Sequence, residues 1–243
     1  EAHAGGHTHG HMTTRQNTVF ATLPTGEPST TSIVATNVCF CCKTAVAAGP
    51  DGAIYAAWRH IYPPNFRDIS VARYTDGGVS FSPPARVSQD GWAIDGCPED
   101  GPSMAVDDAN ILHITWPTIA PGTTDRKAIF YAHSSDGGRT FSARVRLDEG
   151  PADRRPAHPR LATTGRQVYV TWDEDRGRQR AVIVKAVSDA VGSVPVRQPP
   201  ALVEVTALSS YPAIAATPEH ILLAWTSTGP ESAVHIARAP LPR

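Results

Sequence analysis

Residues 45–58 read "AVAAGPDGAIYAAW": a strand of small residues, a turn built on Gly-Pro-Asp-Gly, then an apolar strand closing on Trp58. The same plan returns at 103–116 as "SMAVDDANILHITW", at 160–172 as "RLATTGRQVYVTW" and at 213–225 as "AIAATPEHILLAW". The tryptophans Trp58, Trp116, Trp172 and Trp225 are spaced by 58, 56 and 53 residues, so one structural unit recurs along the chain. A polar loop and a third strand follow each copy, at "DISVARYT" (68–75), "AIFYAHSS" (128–135), "AVIVKAVS" (181–188) and "AVHIARAP" (233–240). In the first two copies a fourth strand follows, around "ARVSQ" and "ARVRLD".

Four short strands per unit predict a four-stranded antiparallel blade, and blades set around an axis make a β-propeller. No long stretch carries a 3.6-residue apolar period, and prolines interrupt most candidate helices, so the expected class is all-β. The repeats occupy about 43–90, 101–148, 158–205 and 211–240 of a single domain over 17–243. Residues 17–37 read as a hairpin that supplies closing or partial-blade strands, giving four or five blades. A flexible His/Gly-rich tail occupies 1–16.

The 22 basic and 23 acidic side chains leave a net charge of -1, which gives no electrostatic footprint for nucleic acid or an anionic membrane. No apolar run reaches the roughly 18 to 20 residues of a membrane helix. Four cysteines, an even set, suit two disulfides in an exported protein, with a thiol or metal site as the competing explanation.

The turns between third and fourth strands read "YTDGGVSFS" (74–82) and "SSDGGRTFS" (134–142). Asp76 and Asp136 precede paired glycines able to take positive φ, and each carboxylate can accept from nearby turn amides. This pattern resembles the Asp-box (BNR) repeat, S-x-D-x-G-x-T-F/W, of sialidases and related propellers. The resemblance implies a structural role for Asp76 and Asp136, not a catalytic one.

In an antiparallel blade the loops between blades and those after the second strand share one face, opposite the Asp-containing turns. That face collects "NVCFCC" (37–42), "QDGWAIDGCPEDGP" (89–102), "DEGPADRRPAHP" (148–159) and "LSSYP" (208–212), with the post-Trp loops "RHIYPPNFRD", "PTIAPGTTDRK" and "DEDRGRQR". Cys39, Cys41 and Cys42 then precede blade one, and Cys97 precedes blade two. The expected bridge joins Cys97 to Cys39 or Cys41, with the remaining two paired together or left as thiols. Three or four thiolates could instead hold Cu⁺ or Zn²⁺, whose softness suits sulfur, although C-x-C-C is not the usual zinc-ribbon spacing. The tail "EAHAGGHTHGHM" offers His3, His7, His9, His11 and Met12 as further soft or borderline donors, or is a cloning remnant.

The Asp-box resemblance raises sialidase chemistry, which in that family uses an arginine triad, a Tyr/Glu nucleophile pair and an Asp acid/base. The family's F/Y-R-I-P motif is absent, since "NFRDIS" supplies Phe66 and Arg67 without the Ile-Pro. Arg59, Arg67 and Arg176 are candidate substrate arginines, with Tyr62 or Tyr211 near Glu174; the alternative is ion pairing of these arginines with Asp68, Asp173 and Asp175. Trp92 and Asp95, in a long loop on this face, join Arg59 as candidate ligand-binding residues, with lid packing the other explanation for Trp92. The run from "CFCCKTAVA" through "DGCPEDGPSMAVD" is similar to a group of bacterial exported sialidase-like propeller proteins. Members share a Cys-rich approach to one blade and a G-C-P segment at the next. That resemblance implies export and a propeller, and it assigns no activity.

The sequence therefore points to a periplasmic or secreted propeller binding protein with a cysteine-bearing site, copper first and zinc second as its cofactor. A metal ion or small ligand is the expected partner, with a protein partner also open. A sialidase-like glycan-active hydrolase using Arg59, Arg67 and Glu174 is one alternative. A protein-interaction scaffold with structural disulfides is the other.

Overall fold

A computed structural model of the chain describes residues 17–22, 30–74, 80–94, 96–148, 153–187, 203–207, 209–227 and 231–241. Among the described residues there is no helix; the strands form five antiparallel sheets in chain order. A hairpin of β1 (Asn17–Thr22) and β2 (Thr30–Thr36) comes first. The first full blade is β3 (Ala45–Ala48), β4 (Ile54–Tyr62), β5 (Phe66–Tyr74) and β6 (Ala85–Arg86). The second is β7 (Ser103–Val106), β8 (Leu112–Ile119), β9 (Lys127–Ser134) and β10 (Val145–Arg146). The third is β11 (Arg155–Thr164), β12 (Gln167–Asp175), β13 (Arg180–Val187) and β14 (Val203–Ala207), the last a strand not marked in the sequence. The fourth has three strands, β15 (Ser209–Ala216), β16 (His220–Ser227) and β17 (Ala233–Pro240).

The chain is thus an all-β propeller-type array, with a separate two-stranded hairpin ahead of the first full blade. β1 pairs with β2, and among the described residues no ladder joins either to β17. The tail with His3, His7, His9, His11 and Met12 lies outside the described residues, as do Asp76 and Asp95.

Apolar faces stack sheet on sheet. Tyr55, Ile69 and Val71 of blade one meet Leu112, Ile114, Trp116 and Phe130 of blade two in one continuous core. Ile129, Tyr131 and Leu147 then meet Val170, Trp172 and Ile183 of blade three. Tyr169, Val182 and Val184 meet Ile221 and Leu223 of blade four. At the other end Ala35 and Val38 pack with Trp58 and Ala72. Trp58, Trp116 and Trp172 are 0–2% exposed, so the repeat's most regular residue lies between sheets, where one large side chain fills the gap. The outer faces of the array differ: Leu222, Val234 and Ile236 on blade four and Val19 and Ile33 on the hairpin are exposed.

The second strands do not stop at tryptophan. β4 continues four residues past Trp58, and β8 and β12 three past Trp116 and Trp172. Pairings Arg59↔Ile69 and Glu174↔Ala181 carry the ladders onward. Arg59 and Glu174 are therefore strand residues, not loop residues, and the pleat turns them inward; they are 1% and 2% exposed.

On the opposite face the turn at 134–142 is closed by Asp136. Its Oδ1 accepts from the Arg139 amide (3.0 Å), the Thr140 amide (3.0 Å) and the Ser134 hydroxyl (2.8 Å), while Oδ2 accepts from the Thr140 hydroxyl (2.6 Å). Gly137 and Gly138 take φ of 74° and 80°, which lets the chain wrap round that carboxylate. Desolvation pushes the Asp136 carboxyl up, but the hydrogen bonds outweigh it and hold the group at about 2 against an ordinary 3.8. A depressed carboxylate stabilises the fold above its unfolded value, and the effect fades as pH falls through the folded one. Wild type is expected to exceed Asp136→Ala in stability at pH 7, by about 0.5–2 kcal/mol as for a helix cap truncated to alanine. Urea unfolding across pH 7 to 2 should show that gap closing between pH 3.8 and about 2.

Candidate functional site

The cysteine loop begins where β2 ends. Asn37 takes φ 56°, Val38 bridges His60, and the Cys39 amide donates to the Arg59 carbonyl at 2.9 Å, so the loop runs along the end of β4. A tight turn returns the Cys42 amide to the Cys39 carbonyl (3.2 Å), and the Lys43 amide reaches the Glu99 carbonyl (3.1 Å). Two disulfides follow, Cys39–Cys42 and Cys41–Cys97. The second joins the approaches to blades one and two and closes a separation of 56 residues. A loop of that size is worth roughly 4 kcal/mol in the chain-entropy picture. The Sγ atoms of Cys39, Cys41 and Cys42 lie within 4.8 Å of one another.

Arg59 lies beneath this loop. Its Nη1 donates to the Arg67 carbonyl (2.7 Å), its Nη2 to the carbonyls of Pro117 (2.8 Å) and Asp100 (3.2 Å), and its Nε also to Asp100 (3.3 Å). Burial lowers its pKa to about 10, with the carboxylates of Asp90, Asp100 and Asp68 opposing, so it stays cationic at neutral pH. Trp92 covers the guanidinium with its ring centroid 4.9 Å away, and is 6% exposed. The covering loop is tied down by the Arg67 amide donating to the Trp92 carbonyl (2.9 Å) and by Asn65 Nδ2 donating to the Ile94 carbonyl (3.1 Å). The structure thus places Trp92 as a lid on Arg59, and Arg59 as a clamp on backbone carbonyls.

The other candidates are dispersed. Arg67 Nη1 points at Cys39 Sγ (3.4 Å). Arg176 belongs to blade three, where it pairs with Glu174; Arg154 reaches the same carboxylate at 3.1 Å. Tyr62 shares a hydrogen bond with Ser70 (2.7 Å) under the Arg86 guanidinium. Arg86 pairs with Asp68, and Arg180 with Asp173 at 3.2 Å, so ion pairs do form around these carboxylates but with other arginines than Arg59 and Arg67.

A second centre forms where the inter-blade segments converge. Lys43, Gly101, His158 and Tyr211 hold equivalent positions, each two residues before the one that pairs with the residue preceding the tryptophan: Ala45, Ser103, Arg160 and Ala213. Register shifts between Ala157 and Arg160 and between Ser210 and Ala213 throw His158 and Tyr211 out of their ladders. Both take left-handed φ, 53° and 54°, immediately before proline. Such backbone costs of order 1–3 kcal/mol per residue and persists because contacts over-determine it. Those contacts are specific. The His158 and Tyr211 rings pack with centroids 4.4 Å apart and planes tilted by 39°; His158 Nδ1 lies 2.9 Å from Asp173 Oδ2, which also accepts the Tyr211 amide at 2.7 Å. His158 Nε2 lies 3.6 Å from Asp100 Oδ1, and Lys127 Nζ is 3.2 Å from Asp100 Oδ2. Lys43 Nζ stands 6.0 Å over the Tyr211 ring.

The hub is therefore one imidazole with a buried carboxylate on each side, capped by a tyrosine ring that is 57% exposed. Arg59 holds Asp100 by its backbone, so the clamp and the hub are coupled. Sequence reasoning singled out Tyr211 only as a possible partner of Glu174, and Asp100, with Asp95 and Glu99, only as an acidic group on this face that could bind a cation or act as acid and base; it passed over Lys43 and His158. The available signal was the repeated x-Pro step in "DGPS", "AHPR" and "SYPA" ahead of three of the four repeats.

No family model matches the chain, and no curated protein matches it in sequence. Its fold is similar to solved propeller glycosidases. An alpha-L-arabinanase of Penicillium chrysogenum, complexed with arabinobiose, superposes with a TM-score of 0.57 at 16% identity, covering 82% of this chain and 62% of that one. The phage phi92 endosialidase gives 0.57 at 13% identity over 89% of this chain and 39% of its own. The GH93 alpha-L-arabinofuranosidase of Fusarium graminearum gives 0.51 at 13% identity over 84% and 66%. The chain thus spans less than two thirds of the length of each, and the likeness establishes the fold.

Two substitutions test the clamp. A Cβ on Gly101 would stand 1.8 Å from the Lys43 carbonyl oxygen, so Gly101→Ala must push the approaches to blades one and two apart. It should destabilise by about 3 kcal/mol, at the upper end of overpacking, in chemical denaturation. Arg59→Ala leaves the carbonyls of Arg67, Asp100 and Pro117 buried without their donor and should destabilise by at least about 3 kcal/mol in the same measurement.

Proposed function

We propose that this propeller acts on glycans, with an oligosaccharide seated over Tyr211 on the face that gathers the inter-blade segments. The observation that carries the reading is the hub itself: an exposed ring above an Asp100–His158–Asp173 array, flanked by Lys43 and Lys127. An aromatic face suits the apolar side of a sugar ring, and ammonium groups beside it suit hydroxyls or a carboxylate. Glycoside hydrolysis uses two carboxyl groups, and Asp100 and Asp173 are the pair the hub offers. Asp173 is held by His158, Arg180 and the Tyr211 amide, so Asp100 is the group assigned to proton transfer. The propeller glycosidases named above lend support through shared architecture alone. The Asp-box resemblance of the 134–142 turn and an exported, periplasmic or secreted location, consistent with two disulfides, belong to the same proposal.

The test is calorimetric binding and reducing-end release with arabino-oligosaccharides and sialosides. Tyr211→Gly removes the ring while suiting the left-handed backbone, so it should leave the fold intact and weaken binding about tenfold. Asp100→Asn should abolish turnover while binding persists. A folded Tyr211→Gly with unchanged affinity, or no binding across the panel, would overturn the reading.

A second reading is favoured by one observation, the mutual approach of the Cys39, Cys41 and Cys42 sulfurs within 4.8 Å. After reduction, those thiolates with Cys97 would suit Cu⁺ before Zn²⁺. Anaerobic metal titration of the reduced chain should then give one equivalent that Cys41→Ser loses; retention of that equivalent would sink the reading.

A further inference from the structure

The two disulfides are layered. Cys97 is exposed and Cys41 half-buried, whereas Cys39 and Cys42 are 5% and 9% exposed beneath them. Across the layers, Cys41 Sγ and Cys39 Sγ are 3.7 Å apart although they are not bonded to each other. Arg67 Nη1 lies 3.4 Å from Cys39 Sγ, a cation beside the sulfur that lies between the two bonds. Thiol–disulfide exchange needs an attacking thiolate, an accessible sulfur and a leaving thiolate, and rates depend on access as well as on charge. An external thiol can reach Cys97, while the buried pair is shielded by the outer one.

We infer that Cys39, Cys41, Cys42 and Cys97 form a two-layer thiol–disulfide exchange site, in which the outer Cys41–Cys97 bond is the port through which an external dithiol reaches the inner Cys39–Cys42 bond. One thiolate of the dithiol attacks Cys97; a mixed disulfide forms and Cys41 leaves as a thiolate. Cys41 then attacks Cys39 across the 3.7 Å gap, the Cys39–Cys42 bond breaks, and Cys42 leaves as a thiolate. The second thiol of the reductant attacks its own mixed disulfide and releases Cys97. Two electrons and two protons have passed from the dithiol, which departs as a disulfide. The chain keeps one bond, Cys39–Cys41, and gains thiols at Cys42 and Cys97. The substrate class is a dithiol or its disulfide, and neither the glycan nor the metal reading is required.

The experiment uses the full chain treated anaerobically with one equivalent of dithiothreitol, quenched with an alkylating agent, and mapped by mass spectrometry. The two-electron-reduced species should carry label chiefly on Cys42 and Cys97, with Cys39 joined to Cys41. Label chiefly on Cys41 and Cys97, with Cys39–Cys42 intact, would overturn the inference. In a Cys41→Ser, Cys97→Ser double variant the inner bond loses its port, and its reduction should slow at least about tenfold relative to wild type. An unchanged rate in a folded double variant also overturns it. Should that variant fail to fold, the labelling pattern of the wild-type chain decides alone.

Discussion

The Arg59 guanidinium, buried and cationic, ties three separate backbone segments by their carbonyls: Arg67 on β5, Asp100 in the approach to blade two, and Pro117 on β8. A guanidinium offers five donors in a rigid plane, and here a single side chain satisfies carbonyls that two blades and a loop would otherwise bury unpaired. Trp92 excludes water from one side of it, and the Cys41–Cys97 bond fixes the loops above. Remove the clamp and the carbonyls lose their donor at the same moment that Asp100 loses its anchor.

That anchoring links stability to chemistry. Asp100 faces the hub because its backbone is held from behind, and Asp173 faces it because β12 continues past Trp172 into the blade interior. Between them, His158 is held in a left-handed conformation by a carboxylate on one ring nitrogen and the Tyr211 ring on its face. Strained backbone recurs where functional groups must be aimed against local preference, and two such residues before proline in neighbouring blades fit that pattern. The same face therefore carries a polar hub and a layered sulfur cluster, joined through the Lys43 amide bonded to the Glu99 carbonyl.

Much of the architecture was legible in the chain. The tryptophan repeat located the blades because Trp58, Trp116 and Trp172 each fill a gap between sheets, with Trp225 partly buried on the fourth, and the Asp-Gly-Gly turn at 134–142 declared itself through the φ it needs. The partnership of Cys97 with the 39–42 cluster was also legible, since equivalent loops of adjacent blades meet. The site was less so. Arg59 and Glu174 follow tryptophan and read as loop residues, yet cross-strand pairing extends those strands and turns both side chains inward. Ladder extension depends on what the partner strand offers, and no local pattern reports it.

Periodicity, turn chemistry and cysteine placement are properties of short segments, and by themselves they determined an all-β propeller, its blade order and the face bearing the sulfurs. Which cysteine bonds to which, which arginine becomes a clamp and which histidine becomes the hub were decided only in three dimensions. Each depends on distances between blades, set by how tightly the sheets pack, and on bulges that move His158 and Tyr211 out of register. A one-residue shift in a ladder reverses which face a side chain joins, so these choices belong to the packed sheets rather than to any stretch of sequence.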